Sequence, residues 1–159
     1  MHGIDDLRQI TYRLRARIPV WADGPTQDAL LSRFGYAFVQ PKGSPYPPIL
    51  DLHTINGPFA VTGAGGPIDL TPFRADHGAT EALGFRIGPL AYLPDAVDIP
   101  EESWPHLALT LGWVARPRPA RAVITNMHID LDHATLCAEL PPHIRPAHDG
   151  MILTFDIPP

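Results

Sequence analysis

Hydrophobic residues near the start of the chain recur at three- and four-residue spacings. The residues in this series are Ile4, Leu7, Ile10 and Leu14. A repeat of this kind predicts an amphipathic helix with one buried face. Pro19 ends the helical pattern, and the β-branched and aromatic side chains of 18–22 predict a short strand. A second helix is predicted over 26–34, closed by a left-handed cap at Gly35.

After residue 39 the pattern changes to short apolar runs separated by proline and glycine. The candidate strands here are 49–52, 59–61, 68–73, 83–88 and 90–93. The glycines of 63–66 are not followed by the Lys-Ser/Thr pair and helix of a phosphate-binding loop, so a plain β-turn is predicted. Later strands are predicted at 122–125, 144–147 and 151–155, and helices at 100–115 and 131–140.

Length and composition are those of one ordinary globular domain, which we expect to span residues 1–159. The chain is 45% hydrophobic and 18% charged, and its 20 prolines exclude long helices over most of its length. A net charge of -5 argues against nucleic acid or an anionic membrane as partner, because such surfaces need excess Lys and Arg. The sequence has neither a membrane-spanning apolar run nor a signal pattern, so a cytoplasmic location is expected.

The helix predicted over 131–140 contains Cys137, the chain's single cysteine. One cysteine forms no internal disulfide, and we interpret it as a small buried apolar residue of this helix rather than a reactive thiol. Either Asp130 or Asp132 is expected to cap the helix N-terminus.

Two groups of arginines occur along the chain. The first consists of Arg13, Arg15 and Arg17, and the second consists of Arg116, Arg118 and Arg121. Alternating arginines in an acidic protein are typical of a solvated face. A phosphate contact is the alternative for either group.

The side chains best suited to chemistry are histidines and carboxylates at the ends of predicted strands. His77 and Asp95 follow two of these strands, and Asn126 and His128 follow a third. Ligand groups at three strand ends can converge on one sheet edge and hold a catalytic metal. The same residues also fit a structural interpretation, because histidines are common on partly buried surfaces and turn aspartates often bind nearby backbone.

Several short strings along the chain point to a known family. They are HGIDDLR, RFGYAF, GSPYPP, HG followed by LGFRIG, AYLPD, TNMHIDLDH and PAHDGM. Together they resemble the phosphoribosyl 1,2-cyclic phosphodiesterase-like branch of the metallo-β-lactamase superfamily over nearly the whole chain. The resemblance implies an α/β fold class, a partial αββα metallo-β-lactamase sandwich of mixed β-sheets with flanking helices. It also implies hydrolysis of a small phosphate ester by a site for two divalent metals, Zn or Mn.

The resemblance also assigns ligands. His77 matches the histidine after the mid-chain strand, and Asp95 matches the carboxylate that bridges the two metals. Asn126 stands on the usual position of the last histidine, so His128 is predicted as the imidazole ligand. Asn126 is then predicted as a weak ligand or a substrate contact. No catalytic residue is assigned.

Two departures from the family pattern change the expected activity. The family's His-x-His-x-Asp-His motif, expected immediately before HGIDDLR, does not occur in the sequence, and Asn126 follows Asp95 by only 31 positions. We therefore expect an N-terminally truncated domain with impaired phosphodiester hydrolysis, because metal affinity depends on ligand number and on the groups that orient the ligands. The alternatives are a non-catalytic remnant, a fragment completed by a second chain or a homodimer, and a small-molecule binding module.

Overall fold

A computed structural model of the chain describes residues 3–107, 121–125 and 132–154. The chain divides into two compact units, Met1–Gly57 and Pro58–Pro159. In the first unit the elements are α1 (Leu7–Leu14), β1 (Ile18–Ala22), α2 (Gly24–Phe38) and β2 (Leu50–Thr54). In the second they are β3 (Phe59–Gly63), β4 (Gly66–His77), β5 (Thr80–Ile87), β6 (Leu90–Tyr92), a 3-10 turn (Glu101–Ser103), α3 (Trp104–Leu107), β7 (Ala122–Ile124), α4 (His133–Glu139) and β8 (Ile144–Pro146). None of the helices in these described ranges has the length and apolar character needed to cross a bilayer.

The first unit is built on a parallel pair of strands, β1 and β2. Parallel strands cannot be joined by a tight turn, and α2 lies within the crossover between them. The hydrophobic core cluster of this unit comes from β1, α2, β2 and the residue before β2. Its buried residues are Ala22, Leu30, Ala37, Phe38, Ile49 and Leu50. The strand predicted at 18–22 is therefore confirmed, and its apolar residues pack against this core.

Helix α2 begins two residues before the predicted start at Thr26 and ends later than predicted. The Asp23 carboxylate accepts a hydrogen bond from the Thr26 backbone N–H at 3.1 Å, so Asp23 is the N-cap. The predicted cap at Gly35 is wrong, because the helix continues to Phe38 across a kink at Phe34. Ala37 and Phe38 are buried, and burial of this last turn outweighs the weak helix propensity of glycine.

The second unit contains a four-stranded antiparallel sheet in the order β3-β4-β5-β6. Its three connections are two-residue hairpin loops, closed by the pairs Gly63 with Gly66, His77 with Thr80, and Ile87 with Leu90. The first of these is the β-turn predicted for 63–66. Because β4 and β6 both run antiparallel to β5, they run parallel to each other and point their carboxyl ends the same way.

The remaining part of the second unit is a parallel pair, β7 and β8, connected through α4. Ala122, Ile144 and Pro146 are buried along this pair. Residues 151–154 are not in a strand, so that part of the predicted strand 151–155 is wrong. Of the helix predicted over 100–115, the structure has the 3-10 turn and α3, and residues 108–115 lie outside the described ranges.

The interpretation of Cys137 as a buried apolar residue is wrong, because its side chain is exposed. No residue of α4 is buried, and its half-buried positions are Leu136 and, just beyond it, Leu140. Cys137 is one residue on from Leu136, about 100° around the helix, so it lies off the packed stripe. Its sulfur is 3.7 Å from Nδ1 of His133, one turn earlier.

The core of the antiparallel sheet depends on a glycine opposite an aromatic residue. Phe73 is 4% exposed and pairs across the strands with Gly84, and its ring occupies the space that a Cβ at Gly84 would fill. The same ring stacks on His106, with centroids 5.9 Å apart. The phenyl ring therefore has no room to move towards β5.

We predict that Gly84→Ala lowers the free energy of unfolding by about 1–3 kcal/mol, the usual cost of overpacking a core. Gly63→Ala is the matched control in the same sheet, because a Cβ there meets nothing within 4 Å. Urea denaturation of both variants measures the difference. Equal stability of the two variants would contradict the packing role given to Phe73.

Candidate metal centre

His77 is the last residue of β4 and lies on the core face of the sheet. Side chains alternate along a strand, so His77 shares a face with Phe73 and Ala75, which are both buried. The next residue, Gly78, has φ +76°. Positive φ at the first position of a two-residue hairpin loop is a conformation that glycine adopts without strain. The chain thus turns sharply and leaves the His77 imidazole at the end of the strand, 46% exposed.

The segment after β6 returns to the end of β4 through backbone hydrogen bonds. Asp76 and Asp98 form an isolated antiparallel bridge, in which the Asp76 N–H donates to the Asp98 carbonyl at 2.8 Å. The Asp76 carbonyl in turn accepts from the N–H of Val97 at 2.6 Å. The Asp76 carboxylate accepts from the Gly78 N–H at 2.8 Å, which ties the same residue to the hairpin loop. These bonds fix where residues 93–98 lie relative to His77.

The result is a contact between two residues that the sequence selects as ligands. Nε2 of His77 lies 3.3 Å from Oδ2 of Asp95, although 18 positions separate them. The Asp95 side chain is 70% exposed, so the pair is open to solvent. A charge-assisted N–H to carboxylate hydrogen bond is usually about 2.7–2.9 Å, so this pair is separated by more than a tight ion pair requires.

A cleft of about 680 Å³ opens beside Asp95. It is lined by residues 92–96 and by Ile124 and Thr125 from the end of β7. The third strand end proposed from sequence therefore faces the same cleft as Asp95. The sequence alone does not indicate that Tyr92 and Thr125 line a cleft, because only the tertiary arrangement brings them together.

His128 and Asn126, the other two predicted site residues, lie outside the described residues. Thr125 is the last described residue before them and lines the cleft. Within the ranges 3–107, 121–125 and 132–154, no group of three or more histidine, cysteine, aspartate or glutamate residues is arranged to hold a metal ion. The described part of the centre is thus a pair of donors, His77 and Asp95.

The segment that holds His128 is followed by a capped helix. Asp132 is the N-cap of α4 and accepts from the Thr135 N–H and hydroxyl, both at 2.8 Å. This confirms that one of the two candidate aspartates caps the helix. The bonds from Thr135 hold the pKa of Asp132 below its ordinary value, with the Thr135 backbone N–H the largest cause.

A second histidine–aspartate pair has almost the same spacing. Nε2 of His53 lies 3.4 Å from Oδ2 of Asp51, two positions away on β2. The His53 ring stacks on Trp21, with centroids 5.0 Å apart and planes 20° from parallel. Spacing alone therefore does not single out His77 and Asp95. The cleft and the nearby end of β7 distinguish them.

The sequence model of the beta-lactamase superfamily domain matches residues 1–142. The chain belongs to this family. A solved structure titled as a new diphosphatase from the PhnP family is similar, with a TM-score of 0.76, 25% identity, and coverage of 98% of this chain and 66% of that one. The predicted family and the predicted α/β fold class, a partial metallo-β-lactamase fold, are confirmed.

A curated relative of this beta-lactamase superfamily chain is named octanoyltransferase and comes from Porphyromonas gingivalis. The two are 28% identical over 190 aligned residues, which cover 97% of this chain and 35% of the relative. The chain thus spans about a third of that protein and about two thirds of the diphosphatase. Activities named for those whole proteins are not assigned to this chain by the match.

The lowered pKa of Asp132 predicts that the stability contributed by this helix cap depends on pH. A pKa lower in the folded than in the unfolded chain means that the cap contributes stability above the unfolded pKa. This contribution is lost as the pH falls through the folded pKa. We expect the Thr135 amide proton shift to titrate with a midpoint below 3.8, the ordinary value. Asp132→Asn should abolish that titration, and a wild-type midpoint at or above 3.8 would contradict the assignment.

Proposed function

We propose that this chain carries part of the metal centre of a phosphoester hydrolase, with His77 and Asp95 as ligands of a divalent ion. The observation that carries the proposal is the 3.3 Å approach of their donor atoms at the edge of a cleft. Family membership and the similar diphosphatase support the reaction class. The substrate class we propose is a small phosphate ester or diphosphate, including cyclic phosphodiesters.

The spacing of the two donors fits a metal ion. Zinc lies about 2.0–2.2 Å from imidazole nitrogen and carboxylate oxygen, so two ligands of a tetrahedral site are about 3.4 Å apart. The observed 3.3 Å between Nε2 of His77 and Oδ2 of Asp95 is close to that ligand-to-ligand distance. Imidazole and carboxylate are also suitable donors for manganese. Because both side chains are substantially exposed, an ion can reach them without rearrangement of the core.

The residues around the pair fit a small anionic substrate. A divalent ion held by His77 and Asp95 would supply Lewis-acid chemistry towards a phosphate oxygen. The cleft of about 680 Å³ falls within the range of small-molecule sites. Its lining is mostly apolar, and the Thr125 hydroxyl and Tyr92 phenol offer donors for phosphate or ester oxygens. The net charge of -5 disfavours a nucleic acid or anionic membrane as the partner.

A second candidate is a centre completed by another chain or by a second copy of this one. The observation that favours it is the ligand count, since the described residues bring together two donors and a closed metal site usually needs three or four. This candidate differs from the first in one measurable respect. Metal binding would then depend on the concentration of a complementing chain.

We predict that the purified, monodisperse chain binds about one Zn²⁺ or Mn²⁺ per molecule, and that His77→Ala and Asp95→Ala each reduce occupancy at least tenfold. Elemental analysis after dialysis against a fixed free metal concentration measures this. His53→Ala and Asp51→Ala are matched controls, because they break an exposed pair of nearly the same spacing. The controls should keep their metal.

Two results would contradict this assignment. Loss of metal in the His53 and Asp51 variants as well would show that the loss is not specific to His77 and Asp95. Absence of metal in a well-folded wild-type chain would rule out the centre in the isolated chain. Recovery of binding on adding a fragment that carries the His-x-His-x-Asp-His motif would then favour the second candidate.

We further expect weak hydrolysis of bis(p-nitrophenyl) phosphate by the metal-loaded chain. Asp95→Asn should lower kcat/KM at least tenfold, because the amide is a neutral and weaker metal ligand than the carboxylate. Asp51→Asn should leave kcat/KM within a factor of two. Unchanged turnover in Asp95→Asn, with wild-type turnover well above the metal-only blank, would remove Asp95 from the active centre.

A further inference from the structure

A second cleft, of about 590 Å³, lies over the β7–β8 pair. The basic residues that line it are Arg121, His143 and Arg145. The side chains of Met151, Ile152 and Leu153 provide an apolar wall. None of these six residues lines the cleft beside Asp95, so the two clefts are distinct.

The three basic residues lie in or directly before the paired strands β7 and β8 and line one cleft. The parallel register pairs Ala122 with Ile144 and Val123 with Arg145, and the Ala122 N–H donates to the His143 carbonyl at 2.8 Å. Ala122 and Ile144 are buried. Side chains alternate between faces along a strand, so Arg145, next to Ile144 in β8, points away from that buried face. Arg121 and His143 directly precede β7 and β8 and line the same cleft.

The two arginines are close enough to share one anion. Neighbouring strands are about 4.8 Å apart and two residues advance about 6.6 Å, so the Arg121 and Arg145 backbones lie about 8 Å apart diagonally. Each guanidinium stands on a long flexible stem and offers a planar fork of donors that matches a phosphate. Arg121 belongs to the second arginine group of the sequence, for which a phosphate contact was the alternative to a solvated face.

The charge of this cleft is unusual for an acidic protein. No carboxylate lines it among the residues that the structure describes, and within the same residues no ion pair joins the exposed guanidinium of Arg145. The chain as a whole has a net charge of -5. A local excess of positive charge beside apolar side chains is complementary to an anion with an organic part. Ile152, 88% exposed, is available to cover that part.

We infer that the β7–β8 cleft binds a small organic phosphate. Its phosphate group is held by the fork of Arg145 in the cleft that Arg121 also lines, and its apolar part lies against Met151 and Ile152. This site is separate from the proposed metal centre. It therefore binds its ligand without metal.

The test is an isothermal calorimetric titration of the full chain with phenyl phosphate, in EDTA and at constant ionic strength. We expect saturable binding, weakened at least tenfold in Arg145→Ala because a charge-assisted pair of hydrogen bonds is lost. Inorganic phosphate should bind more weakly than phenyl phosphate. Arg33→Ala, which removes an exposed arginine of α2, is the matched control and should bind within a factor of two of wild type.

His77→Ala separates this site from the metal centre and should also leave phenyl phosphate binding unchanged. No saturable binding by the wild-type chain would overturn the inference. Equal weakening by Arg145→Ala and Arg33→Ala would also overturn it, because the effect would then be one of net charge. Circular dichroism confirms that each variant is folded, which is expected because Arg145 and Arg33 are both exposed.

Discussion

The backbone bridge between Asp76 and Asp98 is the constraint on which the proposed centre depends. Strand β6 ends at Tyr92, paired with Phe85, so its carboxyl end is several residues short of the end of β4. Beyond β6 the chain is anchored by Ile99, which is buried with Phe73 and Ala91, and by a further backbone tie to the end of β4. The hydrogen bonds of Asp76 to Val97 and Asp98 provide that tie. A few backbone bonds thereby bring His77 and Asp95 together as the proposed pair of metal donors.

Family membership and local geometry make different contributions to the account. The match to the beta-lactamase superfamily domain establishes the family and the fold class. The geometry of the second unit favours His77 and Asp95 as the proposed centre, since the His53 and Asp51 pair has nearly the same spacing but lies against a tryptophan. Fold membership alone does not fix a reaction, and the proposed hydrolysis therefore depends on the site residues.

Local features of the structure were predictable from the sequence, and features that depend on distant contacts were not. The strand at 18–22 and the Asp132 cap follow from residue type and short-range spacing. The cap predicted at Gly35 failed because burial of Phe38 continues the helix, a tertiary effect that propensity does not contain. The contact of His77 with Asp95 was predictable only as convergence of strand ends. The bridge that produces it joins backbone atoms and leaves no side-chain pattern.

The most direct test of the central claim is a Mn²⁺ titration of the ¹⁵N-labelled chain, because the paramagnetic ion broadens amide signals near its site. The account predicts that amides of residues 77–79 and 95–97 broaden first, at substoichiometric Mn²⁺, together with those of 124–125. Asp95→Ala should remove this selective broadening. First broadening at 51–54, or uniform broadening with no preferred residues, would contradict a metal centre at His77 and Asp95.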